Sequence, residues 1–339
     1  MKIDGRQIAA EIKEELSIRF SFLKKKNIIP HLAVILIGTD SSSAAYVRQK
    51  QKVGEEIGVR VTLHSLSSHS KLNKLIQLVQ SLNFNPAIHG IIIQRPVPIN
   101  IDEDELNKLV FPEKDIDAFH PHSPFTPPIS LAVLKILDSI YKYLAKPKVP
   151  ISETSLPSKI SDTTLLRHYA TYDPNDKGPR VSEKFGTEDL HTKKYTDLSK
   201  IGGGLITWLK TKKFLIIGRG ETGGKPIADT FGKINIPFKI AHSKTNNLKE
   251  LCLSSDIIIS AVGKSDIVRR DMITNKTILI GIGLHMEDKE LKPDYDDKEI
   301  TDKVAFYTPV PGGVGPVNVA CLFANLLSAA ELSLRVSNK

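Results

Sequence analysis

Tyr46 and Lys50 stand four residues apart in SAAYVRQK (43–50), a spacing that puts both on one face of a helix. Val53 and Ile57 continue approximately that face, so the lysine starts beside apolar surface. A lysine held against low-dielectric surroundings can have a depressed pKa and serve in proton transfer. The structural alternative is a lysine snorkelling over a core tyrosine. Gln94 closes the apolar run HGIIIQ (89–94) and opens the turn Arg95-Pro96-Val97-Pro98. The carboxyl end of a strand is where a ligand crevice forms, although Gln94 could equally be a plain polar strand end. PEKDIDAFHP (112–121) sets Asp115 and Asp117 in a loop. A carboxylate there could accept paired N–H donors from a heterocycle, or simply face solvent.

A second constellation is built from glycine. GRGETG places Gly218, Gly220 and Gly223 at G-x-G-x-x-G spacing, after the apolar run FLIIG and before a plausible helix. In such a turn the first glycine allows the tight bend, the second lets backbone approach a pyrophosphate and the third lets the helix pack closely. A structural glycine turn is the alternative. An NAD site usually carries a carboxylate about 20 residues later to accept the ribose hydroxyls. Here that place reads His242-Ser243-Lys244-Thr245, and Arg219 lies inside the turn. Guanidinium and hydroxyl donors suit a 2′-phosphate, so NADP is favoured over NAD, unless Arg219 and Lys244 are only solvated charges. TPVPGGVGPVN (308–318) packs three glycines and three prolines ahead of a helix and exposes backbone groups at fixed positions.

The elements that must position these residues alternate. Asp4 and Gln7 start a helix whose Ile8, Ile12 and Leu16 share a face. LAVILI (32–37), VRVTL (59–63) and HGIIIQ read as strands, with helices from Ser41–Ser43 to about Ile57 and over 72–82. PPISLAVLKILDSIYKYL (127–144) is a long apolar helix with Pro127 or Pro128 in its first turn. After a polar stretch, FLIIG, PFKIA (237–241), DIIIS (256–260) and TILIGIG (277–283) resume the alternation, and a helix from about Val317 closes the chain. The fold class is therefore α/β, with two doubly wound units of parallel sheet. The expected divisions are an N-terminal α/β domain over 1–144, a loop-rich insertion over 145–204, a Rossmann-like domain over 205–316 and a final helix over 317–339. Gly202, Gly203 and Gly204 could hinge the insertion's exit.

Composition agrees with this. The 339 residues suit about two domains. With 40% hydrophobic residues, a disordered or fibrous chain is excluded. A net charge of +9 favours anionic ligands without choosing among them. Two cysteines, Cys252 and Cys321, give neither a disulfide scaffold nor zinc spacing, so a reducing compartment is expected and no metal. The first residues lack a signal peptide's apolar core. Apolar runs such as Leu32–Ile37 fall short of the ~18 residues of a membrane span.

Taken in order, SAAYVRQK, IIIQRPVP (91–98), PEKDIDAFHP, GRGETGGKP (218–226), HSKT (242–245), SAVGK (260–264) and TPVPGGVGP (308–316) resemble the bifunctional methylenetetrahydrofolate dehydrogenase/methenyltetrahydrofolate cyclohydrolase family. The resemblance covers about residues 1–144 and 205–333. It implies a folate cleft between the N-terminal unit and an NADP-binding Rossmann unit, the last helix returning to the first unit, and a homodimer, in a chain whose composition is read above as cytoplasmic. Lys50 is implied as the main catalytic group, with Gln94 positioning it and Tyr46 packing on the folate. Asp117 would bind the pterin, and Ser43, Gly315 and Pro316 would line the substrate site. Gly218, Arg219, Gly220, Gly223, Ser243, Ala261, Val262, Gly263 and Thr126 would hold NADP, with NAD as the other possibility. The implied partner is a tetrahydrofolate substrate, with no nucleic acid or membrane. Several departures stand out. The family's DGF is Asp117-Ala118-Phe119, its GRS turn is Gly218-Arg219-Gly220, its IDVG is Ile280-Gly281-Ile282-Gly283, and a family threonine is Asn318. A silent, nucleotide- or folate-binding homologue is the competing function. Nucleic-acid binding lacks an aromatic-rich basic stripe, since aromatics are only 6%.

Overall fold

The computed structural model describes residues 1–38, 41–146, 198, 201–287 and 290–337, so the expected insertion lies almost wholly outside the described residues. All three sheets among the described residues belong to one compact unit, residues 1–141 and 192–339. The chain opens with α1 (Gly5–Lys25), whose N-terminal N–H groups at Arg6 and Gln7 are accepted by the Asp4 carboxylate. Its buried stripe is Ile8, Ile12, Leu16, Phe20 and Leu23. β1 (His31–Ile37) is buried from Leu32 onward, as a central parallel strand covered on both faces must be. α2 (Ser41–Glu56), β2 (Arg60–Leu66), α3 (Leu72–Asn83) and β3 (Gly90–Ile93) complete a parallel sheet of order β2-β1-β3, in which Leu32 stands between Val61 and Gly90. α4 (Glu103–Asn107) and α5 (Pro128–Ala145) follow.

The second half begins at α6 (Gly203–Lys210). It continues through β4 (Phe214–Ile217), α7 (Gly224–Lys233), β5 (Phe238–Ala241), α8 (Leu248–Leu253), β6 (Ile257–Ser260) and β7 (Ile278–Gly281). A hairpin of β8 (Leu284–Glu287) and β9 (Glu290–Pro293), then α9 (Asp297–Ile300), β10 (Phe306–Tyr307) and α10 (Val314–Ser337), complete it. Its five-stranded parallel sheet has the order β10-β7-β6-β4-β5.

Two expectations need correction. Gly203 and Gly204 are the first residues of α6 rather than a hinge; Leu205 and Leu209 are buried and Trp208 leans on Tyr141 at 5.6 Å between ring centroids. Two turns without a polar cap leave little periodic signal. The closing helix begins at Val314, three residues before Val317, because Pro316 sits in its first turn, where a missing N–H costs nothing. That helix is long and apolar on average, although its longest uninterrupted apolar run, Val319–Ala324, is no longer than Leu32–Ile37. By length and composition Val314–Leu334 could cross a membrane, yet 72% of the window is buried inside the protein. It is a core helix that runs back along the first half. The Asn325 side-chain N–H group donates to the carbonyls of Ile116 (2.8 Å) and Thr126 (2.9 Å), and Arg19 pairs with Glu331 at 2.6 Å.

Strand order reverses between β1 and β3 in the first sheet and between β4 and β6 in the second. Open α/β sheets hold ligands at such switch points, outside the carboxyl ends of the strands.

Candidate active site

At the first switch point, α2 leaves β1 and the Gln94 turn leaves β3. The Lys50 ammonium donates to Gln94 Oε1 at 2.8 Å, and Gln94 Nε2 donates to the Arg95 carbonyl at 3.1 Å, which fixes the amide's orientation. The Ser43 hydroxyl reaches the same carbonyl at 3.3 Å. Lys50 is 9% exposed. Burial draws its pKa below the ordinary lysine range, opposed by the charge of Asp117. Asp117 is pushed up by burial and drawn down by Lys50 and Arg95. Asp115, buried beneath the same loop, is pushed up to about 7 by burial, while its carboxylate accepts from the His120 N–H at 2.6 Å. Ala118 has φ +61, the left-handed region that glycine enters freely.

At the second switch point the site is made of backbone. Gly218 has φ +103, and a Cβ there would lie 2.4 Å from the Ala261 carbonyl oxygen. The approach is tight at Gly223, where a Cβ would lie 3.1 Å from the Ala261 Cβ, and tighter at Gly224, where a Cβ would lie 2.0 Å from the Gly218 carbonyl oxygen. A Cβ on Gly220 would meet nothing within 4 Å. Backbone therefore faces open cavity beside the start of α7, as a pyrophosphate cradle requires. Ile217 pairs with Ala241 in the parallel ladder, so Arg219 and Ser243 each stand two residues past matched positions. Both are exposed.

The two switch points open into one cavity of about 1430 Å³. Ser43, Tyr46, Lys50, Gln94 and Asp117 line it, as do Gly220, Gly223, Ala261, Val262, Gly263, Gly315 and Pro316. Gly218, Arg219, Ser243 and Thr126 do not. Thr126 is buried, its carbonyl held by Asn325. The sequence reading missed Arg95, whose guanidinium lies 4.2 Å from the Phe119 ring centroid and pairs with Glu103 at 3.5 Å. Spacing carries no signal for such a contact. The Gly281 departure has a physical cause. A Cβ there would lie 2.5 Å from the Tyr295 hydroxyl, which fills the space and donates to the Thr308 carbonyl at 2.5 Å. Among the described residues, no group of three or more His, Cys, Asp or Glu could hold a metal ion.

The comparisons bear on both halves. Residues 3–117 match the tetrahydrofolate dehydrogenase/cyclohydrolase catalytic domain, and residues 205–334 match the NAD(P)-binding domain of the same family. The bifunctional protein FolD of Campylobacter concisus is 30% identical over 98% of this chain and 99% of its own. A crystal structure of the bifunctional methylenetetrahydrofolate dehydrogenase/cyclohydrolase from Campylobacter jejuni superposes with TM-score 0.74 at 28% identity, covering 98% of this chain and 99% of that one. The Trypanosoma brucei dehydrogenase-cyclohydrolase, complexed with NADP cofactor and inhibitor, gives TM-score 0.70 at 25% identity over 99% and 98%. The lysine-centred crevice and the glycine-built crevice each fall within one of the two matched segments, and on that correspondence the chain belongs to the tetrahydrofolate dehydrogenase/cyclohydrolase family.

Proposed function

We infer that this chain oxidises 5,10-methylenetetrahydrofolate to 5,10-methenyltetrahydrofolate with NADP and hydrolyses the product to 10-formyltetrahydrofolate. The observation that carries the reading is the 2.8 Å Lys50–Gln94 hydrogen bond inside a cavity that also meets the glycine turn. When bound, the nicotinamide cofactor supplies the hydride acceptor of the first reaction. Asp117 accepts N–H donors of the pterin and Tyr46 packs on the folate, which holds the one-carbon unit in place. Lys50, its pKa lowered by burial, takes up the proton of the water that attacks the methenyl carbon, and Gln94 holds Nζ on that line. Arg219 and Ser243 take the 2′-phosphate, while Gly220 lets backbone approach the pyrophosphate. A silent homologue has no observation in its favour.

The same reading makes the protein a cytoplasmic homodimer working in one-carbon supply for purine biosynthesis, with a tetrahydrofolate as its partner and neither nucleic acid nor membrane. The divisions 1–144, 145–204, 205–316 and 317–339 remain its proposed domains, with the last boundary drawn back to Val314. β5 supports the dimer, because among the described residues it is an edge strand of the larger sheet. Light scattering that returns a monomer mass would remove that part. The activity is tested by supplying purified protein with 5,10-methylenetetrahydrofolate and either NADP or NAD, following absorbance of the reduced cofactor and of the methenyl product. Both signals should appear, faster with NADP. No turnover with either dinucleotide would overturn the reading.

A further inference from the structure

Asp294, the residue after β9, is fully buried and none of its chemistry is used above. Its carboxylate accepts four hydrogen bonds from one short segment. The Ser260 hydroxyl donates at 2.6 Å and the Val262 N–H at 2.9 Å to Oδ2, and the N–H groups of Gly263 and Lys264 donate at 2.7 and 3.0 Å to Oδ1. The main-chain oxygen of Asp294 accepts from Ile267 and Val268, so both ends of the loop after β6 hang on this residue. Ala261, Val262 and Gly263 line the cavity beside the glycine turn, where a Gly218 Cβ would lie 2.4 Å from the Ala261 carbonyl oxygen. Gly283 lines it too, and a Cβ on Gly283 would lie 2.2 Å from the Asp294 Oδ2. The carboxylate thus stands directly behind the cavity wall and sets its position.

A carboxylate has only acceptors, and here it meets three backbone donors and a hydroxyl. Asparagine has nearly the same shape but would turn an NH₂ toward at least one of those donors, leaving buried N–H groups unpaired. We propose that Asp294 is a positioning residue for dinucleotide binding, holding the 261–264 loop against the cofactor without touching it. The proposal rests on the dinucleotide reading of the cavity. It leaves the Lys50 cluster untouched, so hydrolysis of the methenyl substrate, which needs no hydride acceptor, serves as an internal reference.

The experiment measures NADP dissociation constants by titration calorimetry together with both activities, for wild type, Asp294→Asn and the milder Ser260→Ala. If wild type binds neither NADP nor NAD, the cofactor reading itself fails. Given wild-type binding, Asp294→Asn should weaken NADP by about tenfold or more, with cyclohydrolase turnover within about twofold, because a charge-assisted bond is replaced by an unpaired donor. Unchanged NADP affinity in folded Asp294→Asn, or a parallel fall of both activities, would overturn the proposal. If Asp294→Asn does not fold, Ser260→Ala decides. A few-fold loss of NADP affinity with cyclohydrolase intact supports a positioning role, and wild-type affinity refutes it.

Discussion

The crevices at the two switch points are made of different material. At the β1/β3 end, side chains carry the chemistry: Lys50 bonded to Gln94, with Asp117 close enough to influence the lysine's charge. At the β4/β6 end the surface is main chain, shaped by where a Cβ is forbidden and where it is merely absent. A proton must be moved at the first site, so a titratable group has to be buried and tuned. An anion must be held at the second, and oriented N–H groups beside a helix start do that without titrating. Substitutions at the first should therefore change rates, and substitutions at the second should change affinity or stability.

The largest test of that contrast is Lys50→Met. Cyclohydrolase activity should fall by about 10²–10⁴-fold, the usual worth of a positioned acid or base, while the NADP dissociation constant stays near that of wild type. Wild-type-like hydrolysis of the methenyl substrate would remove Lys50 from the chemistry. A matching loss of NADP affinity would mean that the two crevices are not separable.

Within the second crevice, two glycines four residues apart should break differently. Gly224→Ala sets a methyl 2.0 Å from the Gly218 carbonyl oxygen, backbone against backbone, so strand and helix must part. A cost of about 3 kcal/mol or more in denaturant unfolding is expected. Gly220→Ala meets nothing within 4 Å. It should leave stability within about 0.5 kcal/mol, yet weaken dinucleotide binding by occupying the cradle. If Gly220→Ala binds NADP as wild type does, backbone approach at that position is wrong.

The same difference decides what the sequence could reveal. Tyr46, Lys50 and Gln94 were readable because a helical spacing and a strand end are one-dimensional signals, and the structure brings all three to one cavity. The backbone-built crevice was readable only as a pattern. G-x-G-x-x-G located the turn and a close approach at Gly223 but not the tighter one at Gly224, since register between helix and strand is a tertiary property. Thr126, a cofactor contact by resemblance, is buried with its carbonyl bonded to Asn325 and does not line the cavity. Asp294 gave no signal at all, because its partners lie some thirty residues earlier in the chain. The β8–β9 pair was hidden for a related reason: its residues alternate weakly and, among the described residues, the two strands pair only with each other.

A smaller effect concerns cofactor choice. Arg219→Ala should weaken NADP by about one to two decades, from a charge-assisted contact of roughly 1.5–3 kcal/mol, and NAD far less. Their separate dissociation constants settle it. Equal losses would assign Arg219 to the shared pyrophosphate or to the turn itself, and the exposed pair Arg219 and Ser243 would no longer explain the preference.

The smallest effect returns to the first crevice, at the one place where its backbone and not its side chains is unusual. Ala118 holds φ +61 between Asp117 and Phe119, with its N–H bonded to the Asp115 carbonyl at 3.0 Å. A left-handed alanine costs about 1–2 kcal/mol. Replacing it by glycine would recover that strain but add about 0.5–1 kcal/mol of unfolded-state freedom. It would also remove a half-buried methyl that packs on the core, a loss of about 0.4 kcal/mol at half the value of a buried methylene. These opposing effects nearly cancel, which accounts for alanine being tolerated where the family has glycine. Ala118→Gly should therefore move unfolding stability by no more than about 0.5 kcal/mol and leave the folate Michaelis constant within about twofold. Ala118→Val, branched at Cβ and unable to enter the left-handed region cheaply, should cost about 2 kcal/mol or more and raise that constant. If valine were as neutral as glycine, the loop would not be holding residue 118 in this conformation, and the placement of Asp117 beside Lys50 would lose its backbone support.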